Sequence, residues 1–165
     1  MFNTWKEKLG FGKDKGLTIL SPMTGKTYPL SKVNDPVFKD KIVGDGLAIM
    51  PDKGRVVAPF DGTVTMLFET RHAISIRSEQ GVEVLIHIGL DTVNLKGEHY
   101  IAIVKTGDTV KAGDLLLEFD MEQITAAGYE LMTPVVICNT AEYSEIIPFT
   151  GNTVSELDLI MTIKK

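Results

Sequence analysis

Residues 81–93 read GVEVLIHIGLDTV, and this stretch decides the predicted fold. Its first eight residues alternate with a period of two, which predicts a β-strand with one face toward an apolar core. Val84 and Ile86 belong to the predicted core face, whereas Leu85 and His87 belong to the opposite face. We therefore expect the imidazole of His87 on the outer face of a sandwich strand.

A second histidine, His72, stands just before another predicted strand at residues 73–77. A turn at residues 78–81 would place this strand beside strand 82–88, so that the imidazoles of His72 and His87 can meet on one surface. The chain contains only three histidines. Two of the three in one predicted hairpin indicate a functional site.

The rest of the chain from residue 17 onward reads as short strands separated by turns rich in glycine and aspartate. This pattern predicts a mainly β protein, an antiparallel β sandwich or barrel with one short helix. Asp120 can cap that helix, Gln123 completes a capping-box pattern, and Gly128 ends it. The predicted strands are 18–20, 47–50, 55–58, 63–68, 73–77, 82–88, 99–105, 115–118, 134–137, 145–149 and 157–163.

Residues 1–16 differ from the remainder in charge. They carry four lysines and two acidic residues, whereas the whole chain has a net charge of −5. We expect a basic, flexible tail followed by one domain over residues 17–165. Phe2, Trp5 and Leu9 would share one face of a short helix, so weak contact with a membrane surface is the alternative. The acidic remainder argues against nucleic acid and favours basic protein partners.

The single cysteine, Cys138, excludes an internal disulfide and a cysteine-based zinc site. It ends an apolar run at residues 133–138, so we expect it to be buried and inert. Neither a signal peptide nor a long apolar segment is visible, and a cytoplasmic location is the expectation.

Two histidines on one face suit phosphoryl transfer. An imidazole that is neutral near pH 7 can attack with one ring nitrogen, while a second imidazole donates a hydrogen bond to the oxygens of the transferred group. The alternative is that both histidines are incidental, with His87 solvated and His72 satisfied within the core. The residues alone leave these two interpretations about equally open.

Residues 69–73 (ETRHA) and 84–97 (VLIHIGLDTVNLKG) closely resemble the glucose-type enzyme IIA of the bacterial sugar phosphotransferase system. The resemblance extends over residues 17–165. Further similar segments are residues 41–46, 57–62, 110–114 and 133–137.

The resemblance implies a β sandwich of the duplicated hybrid-motif type, with a shallow apolar depression around the histidines. It implies a phosphotransferase component that forms phosphohistidine on His87. The phosphocarrier protein HPr would be the donor, and a cysteine in the IIB domain of a sugar permease the acceptor. His72 would stabilise the phosphoryl group, and Thr70 would hydrogen-bond a histidine and fix its tautomer.

The resemblance also carries two secondary expectations. In some relatives the unphosphorylated form binds and regulates other proteins through the same face. Family members can also hold zinc between the residues that match His72 and His87, when a partner supplies a carboxylate. We expect no metal or other cofactor to be required for the relay.

Two partners would have to use the same face in turn, so we expect an apolar rim around the depression. The resemblance places Asp35 and Asp91 nearby, where carboxylates could steer basic groups of HPr. Gly89 is expected to permit close approach of a partner or a phosphate. The apolar rim candidates are Val37, Phe38, Ile42, Val43, Phe68, Leu85 and Val93, with core packing as the alternative for about half of them.

Two other protein classes share parts of this pattern. A biotin- or lipoyl-type carrier would use strand-turn elements like those at residues 57–64 and 107–114, but the chain has no Met-Lys-Met or Asp-Lys-Ala triplet. A zinc peptidase built on a similar sandwich would need a third protein ligand, and none is evident.

Overall fold

The computed structural model describes residues 17–165, which form mainly antiparallel β-strands with two short helices. The predicted tail and its membrane contact, at residues 1–16, lie outside the described residues. The helices are α1 (Pro36–Lys39) and α2 (Met121–Ala126). The strands are β1 (Leu17–Leu20), β2 (Gly25–Pro29), β3 (Asp45–Pro51), β4 (Arg55–Val57), β5 (Gly62–Leu67), β6 (Ala73–Ser78), β7 (Glu83–His87), β8 (Tyr100–Ala102), β9 (Thr109–Val110), β10 (Leu115–Phe119), β11 (Thr133–Ile137), β12 (Glu145–Pro148), β13 (Thr153–Val154) and β14 (Leu159–Lys164).

The strands make three sheets, and every strand pair is antiparallel. The largest sheet has eight strands in the order β13-β2-β3-β11-β7-β6-β5-β9. Two three-stranded sheets have the orders β1-β14-β12 and β4-β10-β8. The mainly β, antiparallel class is confirmed, and no sheet within residues 17–165 closes into a barrel.

The side chains of β7 that were predicted to face the core do so. Val84 and Ile86 are fully buried, together with Ile74 and Ile76 of the neighbouring strand β6. These side chains belong to the main hydrophobic core. Their period of two is the reason that every second residue of β7, including His87, faces away from this core.

The opposite face of β7 is covered by a second, smaller apolar cluster. The chain between β2 and β3 lies over this face and contributes Leu30, Val33 and Phe38. Leu85 packs into the cluster and is only 9% exposed, so the outer face is solvated only in part. The full cluster contains Leu30, Val33, Phe38, Ala48, Ala73, Leu85, Leu90 and Val136, with Val43 and Met132 packed against it.

The prediction of one helix was wrong, because α1 is a second one. Asp35 caps α1 by accepting a hydrogen bond from the Val37 amide at 3.0 Å, and Pro36 occupies the first helical position. Four residues are too few to show a helical period. The predicted helix is confirmed as α2, where Asp120 accepts from the Gln123 amide at 3.0 Å.

Three short strands, β2, β9 and β13, were not predicted, and the strand expected at residues 99–105 ends at Ala102. A bulge in β5 between Val64 and Met66 also changes which face its side chains occupy. Val64 is fully buried, whereas Met66 is 51% exposed. Cys138 lies just beyond β11 and is exposed, which contradicts its predicted burial.

Replacement of Ile86 by alanine tests whether the core face of β7 stabilises the fold. We expect I86A to lower the free energy of unfolding by about 3 kcal/mol, because a fully buried side chain leaves a cavity. The matched control is I101A, at a strand position that is 62% exposed, with an expected change below about 0.5 kcal/mol. Urea unfolding measures both variants, and equal losses would contradict the assignment of the core.

Candidate functional site

The two histidines meet because β6 and β7 are adjacent. Ala73 is the cross-strand partner of His87, and His72 immediately precedes β6. The Ile88 amide donates to the His72 carbonyl at 2.7 Å, which ties the two backbones together. The imidazole centroids lie 4.7 Å apart with an interplanar angle of 83°.

The His87 ring is oriented by the main chain. Its Nδ1 lies 2.8 Å from the Gly89 carbonyl oxygen. A carbonyl only accepts hydrogen bonds, so Nδ1 must carry the hydrogen in this contact. In the neutral ring the lone pair is then on Nε2, which is the nucleophilic atom.

Gly89 serves this geometry through its backbone. Its φ of +85° lies in the left-handed region, which glycine adopts at no steric cost. A Cβ at this position would lie 2.7 Å from Thr92 Cγ2 and 2.9 Å from the Glu130 carbonyl oxygen. The protein itself therefore fills the space that a side chain at position 89 would need, and close approach of a phosphate or a partner to the Gly89 backbone stays a prediction.

His72 is held by a side chain instead. Its Nδ1 lies 2.6 Å from the Thr70 hydroxyl, and the residue is only 3% exposed. Aromatic rings flank the histidine pair on both sides. Phe68 contacts His72 edge-on at 5.6 Å, and Phe38 contacts His87 at 4.9 Å between ring centroids.

Burial keeps both imidazoles neutral near pH 7. The pKa of His72 is lowered to about 4, mainly by burial and to a smaller extent by the neighbouring His87. Burial also lowers the pKa of His87. The Gly89 hydrogen bond and the Asp35 and Asp91 carboxylates partly oppose that shift.

The apolar rim candidates divide into two groups. Val37, Ile42, Phe68 and Val93 are 41%, 70%, 37% and 48% exposed and remain candidates for partner contact. Of the other three, Phe38 and Leu85 are buried within the second apolar cluster, and Val43 is partly buried against it.

Sequence reasoning missed Met66 as a rim candidate. Its cross-strand partner Ser75 is also the partner of Leu85, so Met66 lies on the same face of the large sheet as the histidine side of β7. The apolar residues at positions 64, 66 and 68 suggest one shared face. The bulge in β5 breaks that alternation, and the sequence carries no clear signal for it.

Asp35 and Asp91 both act on His87 electrostatically, yet their local roles differ. Asp35 is engaged as the cap of α1. Asp91 is exposed, with a left-handed φ of 60° at the start of the turn Thr92–Leu95. Within residues 17–165 no group of three or more His, Cys, Asp or Glu side chains is arranged to hold a metal ion, so any zinc at the pair would need an outside ligand.

A family model described as the phosphoenolpyruvate-dependent sugar phosphotransferase system, EIIA 1, matches residues 17–143. The chain belongs to this family. It is therefore a phosphotransferase component that carries a phosphohistidine intermediate in a phosphoryl relay for sugar uptake. The carrier and zinc-peptidase interpretations are not supported.

Individual relatives agree with this family. The chain is 44% identical over 151 residues to a glucose-specific EIIA component of Oceanobacillus iheyensis, covering 90% of this chain and 92% of the relative. It is 53% identical over 126 residues to a β-glucoside-specific EIIBCA component of Bacillus subtilis, and this match covers 76% of the chain but only 21% of that relative. Glucose permease IIA from Mycoplasma capricolum has a similar structure, with a TM-score of 0.84, 34% identity and coverage of 90% and 96% of the two chains. Among residues 17–165, no helix is long and apolar enough to cross a membrane.

The buried, neutral state of His72 predicts a pH dependence of stability. The unfolded chain binds a proton at this residue below pH 6.5, whereas the folded chain does so only near pH 4. The contribution of neutral His72 to the free energy of unfolding is therefore complete above pH 6.5. It falls by about 3 kcal/mol as the pH drops to 4. Urea unfolding at several pH values should show a smaller loss in H72Q, while the H99Q control keeps the full loss. An unchanged loss in H72Q would contradict the assignment.

Proposed function

We propose that Nε2 of His87 accepts a phosphoryl group from phosphorylated HPr and passes it to a cysteine in the IIB domain of a sugar permease. The observation that carries this proposal is the hydrogen bond from His87 Nδ1 to the Gly89 carbonyl. It leaves Nε2 as the unprotonated nitrogen, on a ring that is neutral near pH 7.

The two transfers balance without an external base. In the first, the Nε2 lone pair attacks the phosphorus of phosphohistidine on HPr, the new N–P bond forms, and the old N–P bond returns its electron pair to the donor imidazole. In the second, a cysteine thiolate attacks the same phosphorus, and the Nε2–P bond returns its pair to His87. A loose, metaphosphate-like group passes each time, so positioning and charge stabilisation dominate the barrier.

His72 is suited to stabilise the group in transit. When the Thr70 hydroxyl donates to His72 Nδ1, the ring keeps its hydrogen on Nε2 and can donate to a phosphoryl oxygen. An arriving phosphoryl group brings negative charge, which would raise the pKa of His72 and strengthen this bond. Because the surroundings are apolar, the interaction is worth more than it would be in water.

The rim supports successive docking of two partners. We propose that the exposed apolar side chains of Val37, Ile42, Met66, Phe68 and Val93 form a small docking patch beside the histidine pair, where Phe68 contacts His72. A patch of this kind favours transient contacts over a permanent complex. The Asp91 carboxylate is exposed and could steer basic groups of a donor protein.

Several finer assignments stay proposals. The sugar would be selected by the permease, so the glucose and β-glucoside specificities of relatives are not assigned to this chain. Regulatory binding by the unphosphorylated form and a cytoplasmic location remain predictions. The imidazoles of His72 and His87 could supply two zinc ligands with a partner carboxylate as a third, but we predict that the relay proceeds when metal is chelated.

Reconstitution with enzyme I, HPr and phosphoenolpyruvate tests the two histidines separately. We expect H87A to accept no phosphate, because the attacking nitrogen is absent. H72A should still be phosphorylated but should transfer to the IIB domain at least about 100-fold more slowly, since the general stabilisation of the moving group is lost. H99A is the matched control and should behave as wild type. Phosphate incorporated into H87A would contradict the proposal. So would the reverse result, in which H72A accepts no phosphate and H87A accepts it but transfers it slowly.

The exposed rim is tested by I42E, with I101E as the control, because the same substitution is then made at a site of similar exposure, 62% against 70%. Charge at Ile42 should raise the KM for phosphorylated HPr about tenfold or more and leave the melting temperature unchanged, because the side chain would contact only the partner. Initial rates of phosphorylation measure the effect. If I42E and I101E give the same KM, Ile42 is not part of the docking face.

A further inference from the structure

We infer that Tyr100 and Thr92 are positioning residues for His87: their hydroxyls hold the Ile88–Gly89 peptide so that the Gly89 carbonyl stays aimed at His87 Nδ1. This inference rests on the proposed function of His87. It extends the site to two buried residues that touch neither imidazole in the contacts described above.

Both hydroxyls converge on one carbonyl. Thr92 Oγ1 donates to the Ile88 oxygen at 2.7 Å, and the Tyr100 hydroxyl donates to the same oxygen at 2.8 Å. Thr92 is fully buried and Tyr100 is 3% exposed. A carbonyl oxygen has two lone pairs, so these two donors satisfy it completely. Burial raises the pKa of Tyr100 to about 12, which keeps its hydroxyl protonated as a donor throughout the neutral range.

The remaining groups around Gly89 are fixed as well. The Ile88 amide donates to the His72 carbonyl at 2.7 Å, and the Leu90 amide donates to the Glu130 carbonyl at 3.0 Å. The peptides on both sides of Gly89 therefore have defined orientations. Glycine alone would not impose them, because it populates positive and negative φ with similar ease. The hydroxyls of Thr92 and Tyr100 orient the Ile88–Gly89 peptide, and the Leu90 amide orients the Gly89–Leu90 peptide.

The orientation matters for the nucleophile. The hydrogen bond made by one ring nitrogen determines which nitrogen of a neutral histidine carries the proton. A Gly89 carbonyl held firmly at Nδ1 keeps the proton there and leaves the Nε2 lone pair available. If the peptide can rotate, the hydrogen is shared with Nε2, and in the tautomer that carries it on Nε2 this nitrogen cannot attack phosphorus.

Tyr100 reaches this point from another sheet. It lies on β8, in the sheet with the order β4-β10-β8, and its ring lies 6.3 Å from that of Phe119 on β10. Its hydroxyl nevertheless bonds the residue that directly follows β7. A side chain of the opposite layer thus helps to set the geometry behind the reactive histidine.

The test uses Y100F, T92V and the double variant. We expect the phosphorylation rate at saturating phosphorylated HPr to fall by about fivefold in each single variant and by more in the double variant, with an unchanged KM. The ¹⁵N shifts of His87 in the unphosphorylated protein should show a smaller fraction of hydrogen on Nδ1. The matched control is T27V, because the buried Thr27 hydroxyl also donates to backbone carbonyls, of Phe149 and Asn152, on a strand separated from β7 by β3 and β11.

The outcomes are distinct. T27V should lose thermal stability without a change in the His87 tautomer or the rate. If Y100F and T92V keep the wild-type tautomer of His87 and the wild-type phosphorylation rate, the positioning role of these residues is overturned. The two single variants are sufficient for this test if the double variant does not fold. Phosphate mapping in wild type separates the two proposals, since phosphate on a residue other than His87 contradicts the proposed function itself.

Discussion

The hydrogen bond between His87 Nδ1 and the Gly89 carbonyl oxygen is the contact on which the proposed relay chemistry depends. A neutral imidazole can carry its hydrogen on either nitrogen, and this bond fixes one nitrogen as the donor and leaves the other with the lone pair. The main chain can hold this arrangement because Gly89 adopts a positive φ and no Cβ would fit beside Thr92 and Glu130. In the proposed mechanism, backbone geometry rather than a second catalytic side chain therefore selects the reactive nitrogen of His87.

Burial then sets the charge of the pair. Two imidazoles 4.7 Å apart would repel each other if both were protonated, and the apolar surroundings lower the pKa of each. The carboxylates of Asp35 and Asp91 limit this effect at His87, so that its shift remains smaller than burial alone would give. The two imidazoles are thus neutral near pH 7, and in the proposed relay the phosphoryl group brings further negative charge beside them. This order of events suits a phosphoryl relay, because His72 becomes a stronger hydrogen-bond donor as the phosphoryl group arrives.

Much of the fold and the central pair could be predicted from the sequence. The alternation of Val84 and Ile86 located the core face of β7, and the spacing of His72 and His87 indicated that they meet. The helix α2 followed from Asp120 and Gly128, which are strong local signals. The same kind of signal was present for α1, because Asp35-Pro36 is a typical helix start, although four residues gave no period to support it.

The remaining features depend on contacts between distant parts of the chain. Leu85 is buried because the segment between β2 and β3 covers its face, and no alternation within β7 reports that cover. Met66 is exposed because of a bulge that a regular period cannot anticipate. Tyr100 donates to the Ile88 carbonyl from a strand of another sheet, so its position in the sequence does not indicate this hydrogen bond. The burial of Leu85, the bulge in β5 and the hydrogen bond of Tyr100 to a backbone carbonyl could thus be identified only from the tertiary structure.

The most direct test of this account is heteronuclear NMR of the phosphorylated, ¹⁵N-histidine-labelled protein. Coupling between ³¹P and the ring nitrogens identifies both the residue and the atom that carry phosphate. The account predicts phosphorus on Nε2 of His87, with the hydrogen retained on Nδ1. Phosphorus on Nδ1 of His87, or on His72 or His99, would contradict it.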